Sequence, residues 1–500
     1  MPVQTFYPSY GADFDPTPSG NQRFRNAFND KRLERVHYTL QQRMAQRRTC
    51  VISQLADSQR QKESFLNFVN NDKVTSEELI HHATRLDVEA TRDQDILLLE
   101  DATTVEVGLG SKQRAQQLQD MGMVGGGTTP GYTLLPCLAI EATSGRCFGL
   151  GEVVLHSRPA PPRGKKARQR QRYQRRHLPL EQKDTGAWVL AAKGAGGQLS
   201  QARRRTVVMD QGGDVYSVLA ELLAAEEQLD VLVRAKYDRQ VDGGGEVYQK
   251  ISEVLAMIDG WPASRTVQIR ALNHHSKTKA KRRRRRARKA KLQVRATPIK
   301  LLRPESADGN EAASLALNVV EVVEHDSTVP KGESAIRWCL LTTWPIDTID
   351  ELWQVVEAYQ KRWHIEQLFR TLKLDGLNLE VSQLRQGDRL KRLGIMALQT
   401  SVEVMQLVNA RNHPEAPIEE LFDESDQLLL HKFNSYYEGS TELQKNPHGR
   451  HTLAYASWVI GRLGGWSGYK SLGSVGPKRM HIGLTKFREF SWAARITKDL

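Results

Sequence analysis

Apolar positions along the chain follow two periods, and the switches between them divide it. Behind Asn29 and Asp30, which suit helix caps, Leu33, Val36, Leu40 and Met44 recur at helical spacing, and further helices are expected around 60–70 and 76–86. The period then changes to that of strands. "DILLLEDATTVEV" (95–107), "GYTLLPCLAIEAT" (131–143), "CFGLGEVVLHS" (147–157) and the short "TVVMD" (206–210) read as four strands. "DVYSVLAELLAAEEQ" (214–228) returns to helical spacing, and "LDVLVRA" (229–235) to a strand. Residues 236–350 look β-rich through "TVQIRAL", "KLQVRAT", "LALNVVEVVEH" and "AIRWCLLTT". Helices follow over 351–374 and 385–412, then a mostly helical tail rich in Gly and aromatics. Three strands followed by strand–helix–strand predict an α/β fold whose sheet has antiparallel and parallel parts. The Pro-, Gly- and Asn-rich residues 1–26 are expected to be disordered.

Composition changes this picture mainly through charge. The 500 residues exceed one core, and the net charge of +14 is unevenly placed. Residues 163–176 hold eight Lys/Arg and 277–291 hold eleven, with no acid in either run. Such blocks repel one another and release counterions beside a polyanion, so nucleic acid is the default partner and loops laid over a duplex the expected form. No run of 18 apolar residues and no apolar leader core occur, which predicts a cytoplasmic protein. Cys50, Cys137, Cys147 and Cys339 are scattered, without metal-ligand spacing, and read as reduced, packed thiols.

The stretch "YQKRWHIEQLFRTLK" (359–373) carries the sharpest signal. On one helix, Tyr359, Arg362, Glu366, Arg370 and Lys373 project within an arc of roughly 80°, beside an apolar stripe of Ile365, Leu368, Phe369 and Leu372. A solvated face laced with ion pairs would account for most such patterns. A carboxylate holding a divalent metal among phosphate-binding donors would also explain why the one acid is outnumbered. Two further acids end or interrupt strands: Asp101, after Glu100, and Asp210. Alternation places Glu100 and Asp101 on opposite faces, so only one can enter a shared site. Convergent carboxylates bind Mg²⁺ or Mn²⁺ and suit phosphodiester cleavage or transfer, in which a metal pair activates water and stabilises the leaving oxygen. The triple glycines at 125–127 and 243–245 lack the lysine of a phosphate-binding loop.

The arrangement Tyr359-x2-Arg362-x3-Glu366-x6-Lys373 resembles the signature of the insertion-sequence-four family of bacterial DDE transposases. "LLLEDATTVEV" and "VVMDQGGDVYSVL" resemble that family's two aspartate strands, although Gln211 stands where a basic residue is common. The resemblance implies a ribonuclease-H-like catalytic domain over 91–400, with a β-rich insertion at about 236–350. It also implies a helical DNA-end-binding domain over 27–90 and a C-terminal dimerisation region over 401–500. Asp101, Asp210 and Glu366 would be the catalytic metal ligands, for two Mg²⁺ or Mn²⁺ ions. Tyr359, Arg362, Arg370 and Lys373 would hold DNA. Trp338 would stack on a base flipped during hairpin formation, its alternative being a core tryptophan; Trp344 and Trp363 are assigned to packing. Arg282, Arg283, Arg284, Arg285 and Arg286 form a basic loop for DNA. The implied activity is cleavage of double-stranded transposon ends and strand transfer by a homodimer on paired ends. The alternatives are a metal-dependent nuclease of the same fold and an inactive DNA-binding descendant.

Overall fold

A computed structural model describes residues 28–106, 121–124, 129–159, 161–162, 164–243, 248–269, 271–274, 283–307, 310–373, 376–384, 386–411, 413, 415–468 and 473–498. Residues 1–26 and 277–282 of the basic run, Arg282 among them, lie outside these, as do the side chains of Arg283 and Arg284, so the readings made of them have no structural counterpart.

The architecture is mixed α/β around a 13-stranded sheet. Its heart comprises β1 (Asp95–Glu100), β2 (Thr103–Glu106), β3 (Thr129–Glu141), β4 (Cys147–His156), β5 (Arg204–Met209) and β6 (Asp230–Arg234). In space the order is β4-β3-β1-β5-β6: β3 is antiparallel to β1 and to β4, while β5 and β6 run parallel to β1. The predicted strand over 95–107 is interrupted. Pairing runs Glu100↔Cys137 and resumes at Thr103↔Leu134, so the gap Asp101–Ala102 falls across from Leu135–Pro136. Pro136 has no N–H to donate to a ladder, and the strand lapses there.

Beyond β6 the sheet continues through β9 (Arg337–Thr342), β8 (Ser314–Glu324) and the long β7 (Arg288–Leu302), all antiparallel neighbours. These are the strands expected in the 236–350 region. Arg283–Arg285 are themselves a short strand, paired antiparallel with Leu272–His274, so this part of the basic run is a ribbon rather than a loop. The other basic run was also expected to be a loop, and it is a helix.

Helices cover both faces, as the alternation in β1 requires. Leu97 and Leu99 join one core with Tyr359, Ile365 and Leu368, and Ile96 and Leu98 join another with Trp188, Ala191 and Leu219. The N-terminal helices α1 (Lys31–Arg47), α2 (Gln59–Asn70) and α3 (Ser76–Ala83) are each capped by a side chain, from Asp30, Ser58 and Thr75. After β4 come α4 (Lys165–Arg176) and α5 (Gly186–Gln198). Four glycines hid α5 from a propensity reading, yet it packs tightly: a Cβ on Gly151 of β4 would stand 2.7 Å from that of Ala195. The helix α6 is Tyr216–Leu223, shorter than expected.

The predicted helix 351–374 is two. α7 (Ile349–Lys361) starts in a capping box of Thr348 and Glu351, and α8 (Trp363–Leu372) follows, with Arg362 at the junction. Arg362 N–H bonds to Tyr359 O at 3.1 Å, and Ile365 N–H to Arg362 O at 3.2 Å, tightening the turn without any Pro or Gly. α8 lies on β1 and on α9 (Gly387–Ala410). The tail adds α10 (Glu424–Tyr437), α11 (Leu453–Leu463) and α12 (Pro477–Lys498), and α12 packs against α1 as well as α9. Cys50, Cys137 and Cys147 are buried free thiols and Cys339 is a half-buried one. Among the described residues no helix is long and apolar enough to cross a membrane.

Candidate active site

Three elements deliver the acids singled out by sequence to one edge of the sheet. Asp101 leaves β1 where the ladder lapses, and its Oδ1 takes the N–H of Ala102 at 2.8 Å. Asp210 follows β5 directly, in a tight turn where its Oδ1 takes the N–H of Gly212 at 2.6 Å. Glu366 stands on the first turn of α8. Because β1 and β5 are parallel neighbours, with Glu100 abreast of Met209, the residue following each strand falls at the same level. Glu100, the other acid of the pair, is fully buried with neither carboxylate oxygen bonded, and burial pushes its pKa well up. Alternation thus sends Asp101 to the site and Glu100 away from it.

Arg362 sits among the acids. Its Nη1 lies 3.2 Å from Asp101 Oδ2, and its Nη2 bonds Glu366 Oε1, one helical turn away. One guanidinium does not neutralise the group. Burial first, then the charge of Asp210, raises the Asp101 pKa to about 6, with Glu366 adding to the push and Arg362 opposing it. Among the described residues no three acids, histidines or cysteines are spaced to share one metal ion as placed here. The three groups nonetheless have the chemistry to suit a hard divalent cation: all are carboxylates, and Arg362, which meets Asp101 and Glu366, is a side chain that can turn aside.

The remaining residues of the motif do not form the single polar row expected. Tyr359, in the last turn of α7, is buried at 5 % exposure, meeting the edge of Trp338 with ring centroids 5.5 Å apart. Lys373 lies past the end of α8, bonding the Thr104 carbonyl and standing 3.2 Å from Glu380, so it clamps β2 rather than pointing to solvent. Arg370 is exposed. Trp338 is half-buried, and Trp344 is a packed core residue whose Nε1 donates to Thr206 Oγ1 at 2.8 Å. Trp363, assigned to packing, instead stands 46 % exposed at the start of α8. Just past the arginine ribbon, Arg286 is 3.6 Å from Glu333, which also takes Arg288 at the start of β7.

Sequence reading missed three neighbours. Trp188 of α5 flanks the Asp210 turn: a Cβ on Gly212 would be 2.9 Å from Asp210 Oδ1 and 3.4 Å from the Trp188 ring. Arg234, ending β6, is close enough to act on the Tyr359 hydroxyl, and its signal was a cation at the same end of a strand parallel to β1. Asp214, four residues after Asp210, is fully buried and holds Arg239 at 2.8 Å and the N–H of Lys236 at 2.7 Å. It organises the loop; Asp210 remains the one at the edge.

Residues 174–400 match the transposase DDE domain. The matched segment takes in Asp210, Tyr359, Arg362, Glu366, Arg370 and Lys373, and begins beyond Asp101. Among solved structures, a cryo-EM structure of the piggyBac transposase synaptic complex with hairpin DNA aligns with 93% of this chain and 73% of that one. The identity is 11% and the TM-score 0.35.

Proposed function

We propose that the protein is a metal-dependent DNA transposase of the insertion-sequence-four kind, with a ribonuclease-H-like core formed by β1 and β3 to β6. The observation that carries this reading is the meeting of Asp101, Asp210 and Glu366 at one sheet edge, Arg362 joining Asp101 to Glu366 and Asp210 acting on Asp101, with two of the acids in a segment that matches a transposase DDE domain. Asp101, Asp210 and Glu366 would hold Mg²⁺ or Mn²⁺, which supplies activation of the attacking oxygen and stabilisation of the leaving one. The chain's own residues do the rest. Arg362, once turned from the acids, and the exposed Arg370 grip phosphates beside the scissile bond, Arg362 in a bidentate hold. Tyr359 and Arg234 form the wall behind them. Lys373 fixes β2, and hence the bend that presents Asp101. Water attacks first to free a 3′-hydroxyl; that hydroxyl then attacks the opposite strand to close a hairpin, and after opening attacks target DNA. Trp338 stacks on a base extruded by the hairpin turn, and a homodimer pairs the two ends.

The test is incubation of linear DNA bearing the inverted repeats that flank the gene, with Mg²⁺ or with chelator. Hairpins and joined products support the transposase. Simple nicks indicate a nuclease, and a mobility shift without cleavage an inactive DNA-binding descendant.

A further inference from the structure

The helix α4 is not used by the mechanism above, and nothing in its own packing explains it. Lys165, Lys166, Arg168, Arg170 and Arg175 point to several sides of a helix whose only other described side chains are Ala167, Gln169, Gln171, Tyr173 and Gln174. It has no apolar face, and none of its described side chains is buried. Its first turn carries cations against the positive end of the helix dipole, with no acid and no side-chain cap. At 12 residues it is about as short as an isolated helix can be and still be marginal in water. Among the described side chains two polar contacts tie it down: Asp184 receives Arg175 at 2.8 Å, as well as Arg158 Nε at 2.6 Å, and Arg168 Nε donates to the Pro162 carbonyl at 3.2 Å, an exposed bond that a phosphate can replace.

Its position is set by topology. β4 runs in the direction of β1, and His156 at its end is level with Thr133, which is level with Thr104, just past Asp101. The chain therefore leaves β4 at the edge that carries the acids. It re-enters the fold through Asp184 into α5, whose Trp188 flanks Asp210. A polyanion lying across Asp101 and Asp210 would pass this segment.

We propose that α4 is a groove-docking element: it seats in a groove of duplex DNA flanking the scissile phosphate, with Lys166, Arg168 and Arg170 on the phosphates. This rests on the DNA-cleaving function proposed above. The occupant is duplex DNA because it offers regularly spaced negative charge along a groove that admits a helix, while a helix cationic on several sides has no surface for an apolar partner.

Two variants of the full chain separate a docked helix from mobile charge. Replacing Lys166, Arg168 and Arg170 by Gln removes charge and keeps the helix; Gln171→Pro breaks the helix and keeps every charge. Binding is read by anisotropy on a random-sequence DNA duplex, on its single strand and on an RNA duplex, across salt. Loss of three phosphate contacts lowers the slope of log K against log salt by about 2.7. Gln171→Pro is expected to fall toward the triple variant on duplex DNA and to match the parent on single strands, and amide exchange over 165–176 should slow only when duplex DNA is present. The inference is overturned if Gln171→Pro binds duplex DNA like the parent, if the triple variant keeps its slope, or if the RNA duplex binds better than the DNA. A parent that binds no duplex at all brings down the proposed function as well, whereas a parent that cleaves while both variants bind normally brings down only the role of α4.

Discussion

Two clusters in this protein use the same ingredients, aspartates and arginines that are wholly or partly buried, and end in opposite states. At the junction of α12 with α10, Asp426 takes Arg488 Nη1 at 2.8 Å and Arg495 Nη2 at 3.2 Å, while Arg495 also holds Asp423 at 2.8 Å. Burial raises the Asp423 pKa, but Arg495, the Ser425 hydroxyl and the N–H of Asp426 more than reverse it, and the carboxyl ends below its ordinary value. At the sheet edge a single Arg362 serves Asp101 and Glu366, Asp210 adds its charge, and the Asp101 pKa rises. A closed network is finished by the protein itself; an open one is left short of cations and so has work for a ligand. The direction of the aspartate shift separates them where mere presence of acids and arginines does not.

The largest expected effect lies at the open cluster. Asp101→Asn, Asp210→Asn or Glu366→Gln should each lower DNA cleavage in Mg²⁺ roughly a thousandfold or more, with the fold intact. Full cleavage by any one of them removes that residue from the site.

At the closed cluster the loss should appear in stability instead. Arg488→Ala leaves Asp426 buried and short of a partner, costing roughly 3–5 kcal/mol in denaturant unfolding, with no recovery on adding Mn²⁺. Arg362→Gln should behave otherwise, Mn²⁺ raising its melting temperature more than it raises that of the parent. Equal responses to Mn²⁺ would erase the distinction between the clusters.

A smaller effect follows from pH. The folded pKa of Asp101, about 6, lies above its ordinary 3.8, so the native state holds the proton more tightly than the unfolded one. The stability this group contributes is present below about pH 4 and is lost as the pH rises through about 6. Asp101→Asn, compared with the parent in chelator, should therefore be no more stable at pH 4 and more stable at pH 7 by about 2 kcal/mol. A gap that narrows with rising pH would mean that Arg362 already satisfies the acid.

The smallest effect concerns Trp338. Trp338→Ala should spare the first nick and slow hairpin closure about five- to 150-fold if stacking returns roughly 1–3 kcal/mol. Equal loss of both steps with a lower melting temperature would assign it to packing against Tyr359.

Much of this site was legible in the chain because its acids sit at marked places: after a buried run at Asp101, at a strand end at Asp210, and in a spaced motif at Glu366. The two strands parallel to β1 and the β-rich region were legible from their apolar runs for the same reason. The break between α7 and α8 was not, since no Pro or Gly marks it and a helical wheel treats 359–373 as straight, placing the buried Tyr359 in a row with exposed Arg370. Trp363 misled because an aromatic near apolar residues looks packed until the helix direction is known. α5 was hidden by its four glycines, three of which sit where a Cβ would crowd a neighbour, Gly194 against Glu152 of β4, Gly186 against Leu180 and Gly196 against Leu229, and α4 by a charge density that reads as loop.

The seam between α1 and α12 has a consequence for how the molecule is made. Thr485 Oγ1 donates to the Ala45 carbonyl across 440 residues of sequence, and Gln46 reaches the carbonyl of Arg488 across 442. α1 therefore waits for α12 to be synthesised before these groups are paired. A chain cut before residue 477 should leave these contacts of α1 unmade and the α1 face toward α12 open. α1, although more than 400 residues earlier in sequence, is completed only when α12 is in place.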